Sequence, residues 1–370
     1  MNNSAIQLQP GEDGERGAPA QRNRLINGQF SIWQRTTSFP APVVPILGLV
    51  GYSADRWQWQ AATDGAVMLG SGMTRQTFDP GQSEVPDNPI YFMRWEMTGM
   101  SIPTVFAASN LVQRIESVRT LSGKTATLSF WMRGDINGTI AMSLLQWPGG
   151  MGGTAFPAPV AVSLLPTNFT VTANTWTFHR VTLNIPSISG YVLGAANNDA
   201  LYLRFHNLVD AAVATQQGFP TPISYTGLLD FANVQLEEGD IEVPEFEYRP
   251  IALELSLCQR YYQKSYQQSV IPGTGSPVTP EKQGEEYLEA NGTGGVVNLR
   301  YPVTMRSAPA ISLIGSDGVP NQAFSIIGVV TGLSIFSIGE ASTSVIYGIV
   351  APAANDDIAY SYHYTADAEL

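Results

Sequence analysis

The stretch GKTATLSFWMRG, residues 123–134, decides the fold class. Ala126, Leu128, Phe130 and Met132 alternate with Thr125, Thr127, Ser129 and Trp131. That period of two puts the apolar set on one face of an extended strand. The same rhythm continues on either side. IYFMRWEM from Ile90 sets Tyr91, Met93, Trp95 and Met97 against Phe92, Arg94 and Glu96, and TWTFHRVTLNI from Thr175 and ALYLRFHNL from Ala200 repeat it. Breaks rich in turn formers (FDPGQSEVPDNP, WPGGMGG, GAANND) separate the runs. Many short strands with no helical pattern between them predict an all-β chain whose main domain, residues 23–249, is a jelly-roll β-sandwich.

Composition fits that reading. The 370 residues leave room for two domains, and 44% hydrophobic residues supply a core. Charged residues make up 14%, below the roughly 25% of ordinary soluble chains. The 35 glycines and 25 prolines favour strands and turns over long helices. A net charge of −12, with 19 scattered basic residues, argues against a nucleic-acid partner, because phosphate binding needs clustered cations. The most apolar stretch, SIIGVVTGLSIFSIG from Ser325, is too short and too rich in Gly and Ser to insert in a membrane as a helix. MNNSAIQLQPGEDGE has neither the cationic head nor the apolar stretch of a secretory signal, so synthesis in the cytoplasm is expected. A single cysteine, Cys258, excludes an intrachain disulfide framework.

Residues 1–22 are polar, and Gly11, Gly14 and Gly17 open three consecutive Gly-X-Y triplets. Only glycine fits the axis of a collagen triple helix, and three triplets are too few to hold one alone. An extended collagen-like peptide and an acidic leader with coincidental spacing are both compatible with the segment. NRLINGQFSIWQR, residues 23–35, is expected to be the first strand, with Leu25, Ile26, Phe30, Ile32 and Trp33 in core or inter-sheet contacts.

The period changes at RPIALELSLCQRYYQKSY from Arg249. Ile251, Leu255, Cys258 and Tyr262 form one stripe of a helix over residues 250–264, and Leu253, Leu257 and Tyr261 form a second. Apolar on two sides, such a helix would pack between domains or around a trimer axis. Residues 265–283 read as a linker, and residues 284–370 as a smaller C-terminal β-sandwich with strands in VVNLRYPVTM, AISLIG, SIIGVV, LSIFSIG, SVIYGIV and IAYSYHYTA.

Few residues invite chemistry. His179, His206 and His363 lack metal-ligand spacing and read as structural. GGMGG lacks the Lys-Ser/Thr of a phosphate loop. Glu237–Glu238 and Glu285–Glu286 are adjacent pairs, which on a strand point to opposite faces and make poor acid/base partners. No catalytic residue is assigned and the chain is not expected to be an enzyme. Trp147, in the expected loop LLQWPGGMGG, is either a sugar-stacking ring or a loop anchor. Trp33, Trp57, Trp95, Trp131 and Trp176 read as core or inter-sheet residues.

NRLINGQFSIWQR, YSADRWQW, QRIESVRTLSGKTATLSFWMRG, TWTFHRVTLNIP, VQLEEGDIEVPEFEYRP and LELSLCQRYYQ occur in that order, and the chain ends in YHYTADAEL. Together these resemble tailed-bacteriophage and prophage fibre-type structural proteins with a carbohydrate-binding-module-like jelly roll and a small C-terminal β domain. The resemblance implies a homotrimeric virion protein, of tail-fibre or capsid-fibre type, that projects β domains toward the host surface and its glycans. It implies docking to phage capsid or tail proteins through residues 1–22, where Ile6, Leu8, Pro10, Gly11, Gly14 and Gly17 are the candidate anchoring residues. Related jelly rolls hold a structural calcium near the first and last strands, which here would fall to Asn27, Glu237 and Glu238; Gln29 stands where relatives often carry an acid. A free-standing carbohydrate-binding protein and a polysaccharide depolymerase are the alternatives.

Overall fold

The computed structural model describes residues 21–40, 45–67, 71–97, 107–149, 166–194, 198–275, 283–284, 295–315, 318–320, 323–325, 328–330, 334–340, 344–350, 360–361 and 363–369. The candidate anchoring residues Ile6, Leu8, Pro10, Gly11, Gly14 and Gly17 lie outside them, as do Glu285 and Glu286.

Two antiparallel sheets form the main domain. In the first, β1 (Ser38–Pro40), β4 (Ser71–Thr77), β5 (Tyr91–Met97), β13 (Gly227–Glu238), β7 (Thr125–Gly134) and β10 (Thr177–Asn184) are neighbours in that order. In the second the order is β2 (Pro45–Tyr52), β3 (Trp57–Val67), β6 (Ala107–Glu116), β11 (Ala200–Val209), β8 (Gly138–Trp147) and β9 (Thr167–Val171), with β12 (Ile223–Ser224) paired to β11. The alternation read from residues 123–134 is the inward face of β7: Ala126, Leu128, Phe130 and Met132 are all buried. They meet Trp57 and Trp59 of β3, Met93 and Trp95 of β5, and Leu201, Leu203 and Phe205 of β11 in one core. Phe130 sits at its centre, edge-on to Phe205 at 4.9 Å and to Phe169 at 5.1 Å. Each such buried ring contributes about 2–3 kcal/mol.

Residues 23–35 do not form the expected first strand. The segment is irregular, yet Leu25, Phe30, Ile32 and Trp33 are buried and Ile26 is half-buried. Its backbone turns where Asn27 and Phe30 take φ of 59° and 56°. The Asn27 side chain closes the turn, donating to the Ile32 and Asp55 carbonyls (2.8 and 3.0 Å) and accepting from Ile32 N–H. Gly28 then lies against β13, its carbonyl accepting from Val234 N–H at 2.9 Å, where that strand bulges after Ala232. A Cβ at Gly28 would overlap the Val234 carbonyl oxygen, so only glycine permits this approach. Apolar residues at strand-like spacing thus serve as anchors of a plug.

Among the described residues two helices accompany the strands. Helix α1 (Ala211–Gln217) starts at Asp210, whose carboxylate accepts from Val213 N–H, and stops at left-handed Gly218. Helix α2 (Ile251–Gln259) is shorter than the sequence suggests, and Tyr262 opens a strand instead of extending the helix. Within the single chain, Glu254 and Cys258 face the protein, whereas Ile251 and Leu253 are exposed. An ion pair decides that orientation. Buried Glu254 meets the buried Arg249 guanidinium at 3.3 Å and accepts from Asn27 N–H, tying α2 to the plug.

Beyond α2, the described residues of a smaller β unit form three antiparallel sheets. Their orders are β14 (Tyr262–Lys264), β23 (His363–Asp367) and β17 (Ala310–Ile314); β15 (Gln283–Gly284), β22 (Tyr360–Ser361), β18 (Ala323–Ser325) and β19 (Gly328–Val330); and β16 (Gly295–Arg300), β21 (Ser344–Val350) and β20 (Ser334–Glu340). The first sheet is fastened to the sandwich by arginines. Arg35 pairs with Asp367 (2.9 Å) and Glu369 (3.4 Å), Arg56 pairs with Glu369, and Arg260 pairs with Glu116 at 2.8 Å. Arg56 also lies 3.4 Å from the Tyr261 ring centroid and Arg35 lies 3.7 Å from that of Tyr262. The first residues assigned to the linker pack here too: Ser265 and Tyr266 are buried, with Tyr266 stacked on His363.

Candidate ligand-binding face

Strand alternation that sends Leu201, Leu203 and Phe205 into the core sends Tyr202, Arg204 and His206 outward. Register extends this outer row across the second sheet. Tyr202 lies opposite Arg114 of β6 and Leu145 of β8; Arg204 lies between Val112 and Ser143, and His206 between Asn110 and Ala141. Gln58 and Gln60 of β3 continue the rows on the far side of β6. Opposite Ala200 stands Trp147, on the same face and diagonal to Tyr202. Trp147 is therefore the last residue of β8 and not part of a loop; the turn begins after it, where Gly149 takes φ of 88°.

The centre of the face is a Tyr flanked by two cations. The Arg204 and Arg114 guanidinium carbons lie 5.1 and 5.3 Å from the Tyr202 ring centroid, and all three side chains are half-buried. Burial lowers the Arg204 guanidinium to about 10. Around them, polar atoms are buried without a hydrogen-bond partner: Gln58 Nε2, Asn110 Oδ1, Arg114 Nε, Arg204 Nε and His206 Nδ1. Gln58, Asn110 and His206 are themselves buried residues. Burial and the nearby Arg204 push His206 down to about 3, so it is neutral, with Nε2 2.8 Å from Ser143 Oγ. Two structures bound the face. Phe219, following α1, meets His206 edge-on at 5.0 Å, and at the other end Glu116 is held by Arg260 and by the Tyr261 hydroxyl at 2.9 Å. Tyr202, Arg114 and Arg204 thus keep part of their surface exposed, while Gln58, Asn110 and His206 are buried beside them; an aromatic ring between two cations suits a polar ligand with an apolar face.

Other sequence candidates fall elsewhere. Asn27, expected as a calcium ligand, spends its amide on the turn of the plug. Glu237 accepts from Gln235 Nε2 at 2.8 Å, and Glu238 faces Lys124 at 3.1 Å, so adjacent strand residues diverge as alternation requires. Among the described residues, no group of three or more His, Cys, Asp or Glu is placed to hold a metal ion. His179 faces the core, packed on Phe130 and Phe169 at 5.3 Å, and burial pushes it down to about 4. Cys258 is buried, with its thiol raised by burial. Ile251 is exposed and Leu255 lines a cleft of about 890 Å³ at the junction of plug, α2 and the segment after β14. That cleft also holds Tyr91 with Arg75 stacked at 4.6 Å, and Tyr248. Its ammonium group, on Lys264, is held by the Gln268 and Val270 carbonyls at 3.0 and 2.7 Å.

The sequence reading missed Tyr202, Arg204 and Arg114. Part of the signal was present, since ALYLRFHNL gives Tyr202, Arg204 and His206 one common face. Arg114 joins them only through the β6–β11 register.

No family model matches the chain, and no curated protein matches it. Solved structures do. A domain of tailspike protein 4 from bacteriophage CBA120, described as enzymatically active, is 16% identical over 59% of this chain and 21% of that chain, with a TM-score of 0.30. A putative sugar binding protein from Bacteroides thetaiotaomicron is 16% identical over 59% of this chain and 100% of its own, with a TM-score of 0.32. A family 11 carbohydrate-binding module from Clostridium thermocellum, solved with a mixed-linked tetrasaccharide, is 10% identical over 54% and 95%, with a TM-score of 0.29. The chain thus spans about a fifth of the tailspike domain. At such overlaps it is the residues of the face, and not the neighbours, that bear on function.

Proposed function

We propose that the chain is a non-enzymatic, glycan-binding attachment protein of a phage virion, assembled as a homotrimer. In this reading the β-sandwich meets host-surface saccharide and residues 1–22 anchor it to capsid or tail. The observation that carries the binding role is the outer face of the second sheet: Tyr202 between Arg114 and Arg204, ringed by buried polar atoms without partners, with Trp147 diagonal to it. Protein interiors seldom leave such groups unpaired, and a ligand rich in hydroxyls supplies both donors and acceptors. The virion role draws on the ordered set of motifs and on the Gly-X-Y triplets at Gly11, Gly14 and Gly17, which pack only as three chains.

A glycan array probed with the wild-type chain and with Tyr202→Ala tests the binding role. Wild type is expected to bind a restricted set of saccharides, and Tyr202→Ala to lose at least about ten-fold in affinity, the effect of some 1.4 kcal/mol. Absence of wild-type binding across the array would remove the reading. Solution mass and immunolabelling of intact particles test the assembly, and a monomer absent from particles would refute it.

A further inference from the structure

Many arginines of the sandwich face carboxylates. Arg94 and Arg133 share Asp230, Arg180 meets Asp240, Arg249 meets Glu254, and Arg35 and Arg56 meet Glu369. Arg114 and Arg204 do not. Among the described residues neither reaches a carboxylate, their shared contact is the Tyr202 ring, and the Nε–H of each is buried without an acceptor. Tyr202 and Arg114 are directly opposed across β6 and β11, and Arg204 follows two residues on along the same face. Both guanidinium groups therefore border one patch, about 5 Å across the strands and about 7 Å along them.

Partial burial of two neighbouring cations with no counter-charge is unfavourable, and an incoming anion relieves it. Guanidinium groups present paired N–H donors in a planar fork that matches a carboxylate. The chain's net charge of −12 makes general attraction of anions an unlikely source of selectivity, so discrimination must come from this local pair. From this geometry we infer that the face selects an acidic saccharide, with a sugar carboxylate seated against Arg114 and Arg204 beside the Tyr202 ring. This rests on the glycan-binding reading above and names its ligand class.

The test uses the whole chain and an array on which each carboxylated bacterial polysaccharide is printed beside its carboxyl-reduced twin, which has the same linkages but no charge. Sulfated and phosphorylated glycans complete the array. Wild type is expected to bind the native form of at least one pair at least ten-fold more tightly than its twin, and the ratio should shrink as salt rises. Arg114→Gln and Arg204→Gln should each bring the ratio toward one, and Arg204→Lys, which keeps the charge without the fork, should restore part of it. Changing the ligand leaves the protein intact, so a variant that fails to fold does not spoil the measurement. Equal binding to both twins, binding confined to sulfated or phosphorylated glycans, or a ratio unmoved in both Gln variants would overturn the inference while leaving glycan binding standing. No binding to any glycan would remove the parent reading and this inference together.

Discussion

On the outer face of the first sheet, Arg94 and Arg133 converge on Asp230, with contacts of 2.8 and 2.7 Å, and Arg133 also lies 4.7 Å from the Trp176 ring centroid. Phe78, Val85, Phe92, Trp176 and Ala232 close over that sheet as a second small core. On the outer face of the second sheet the same residue types, arginine and aromatic, meet without an acid among the described residues. One face satisfies its charges with Asp230; on the other, no described carboxylate does so. Because both faces belong to one sandwich with one core, the difference lies in outward residues alone, where folding exerts the least constraint. That makes the second face informative about function.

Each sheet also carries a histidine of lowered pKa, half-buried His179 in β10 and buried His206 in β11, and these should produce the largest effect. Both are held neutral, His179 down to about 4 and His206 to about 3, chiefly by burial. An unfolded histidine titrates near 6.5. Between that value and the folded values the unfolded state binds more protons, so stability is full above about pH 6.5 and falls as pH drops. Buried His206 contributes a slope of up to about 1.4 kcal/mol per pH unit in this window, and half-buried His179 a smaller one because solvent screens it. Urea unfolding from pH 7 to 5 measures it. His206→Gln should flatten the slope by about 1.4 kcal/mol per unit, and His179→Gln by less. A slope unchanged in either variant would show that histidine to be solvated on its sheet.

The next effect separates the faces directly. Asp230 is buried and neutralises two guanidinium groups, so Asp230→Ala should lower unfolding stability by about 3 kcal/mol. Arg204→Gln removes a cation that lacks an internal partner and should change stability by less than about 1 kcal/mol. Denaturant midpoints at constant m-value distinguish the two. Comparable losses from both would mean that Arg204 is structural after all, and the contrast between the faces would collapse.

Much of this architecture was readable in advance, for a physical reason: a strand with one buried face must alternate, and residues 125–132 do. Failures arose where apolar spacing served another geometry. Residues 23–35 carry strand-like hydrophobics, but Asn27 and Phe30 adopt left-handed backbone and Gly28 fits only beneath the bulge of β13. In α2, periodicity puts Ile251, Leu255 and Cys258 on one stripe, and of these the single chain buries Cys258; it also buries a charged residue, Glu254, which reaches Arg249 and which apolar periodicity does not mark. Trp147 was recognised as distinct from the core tryptophans, and the sheet places it beside Tyr202. The Arg114–Tyr202–Arg204 group depends on strand register, which local pattern does not specify.

The smallest expected effect is the sharpest check on which face binds. Trp131 lies on the outer face of the first sheet, half-buried, with its ring tilted 51° against Phe178 at 5.4 Å. A large aromatic on an outer sheet face is a natural sugar platform, and Phe178 beside it is 40% exposed. Yet the ring already rests on Phe178, Arg94 and Arg133 are already bound to Asp230, and Arg180 to Asp240, so a ligand finds few unmet polar partners there. Trp131→Ala should therefore leave glycan affinity within about two-fold of wild type, against the loss of at least about ten-fold for Tyr202→Ala. Measured side by side on the same glycan, the two substitutions rank the faces. Should Trp131→Ala abolish binding while Tyr202→Ala spares it, the satisfied face is the one that recognises sugar, and unpaired charge is a poor guide to function in this fold.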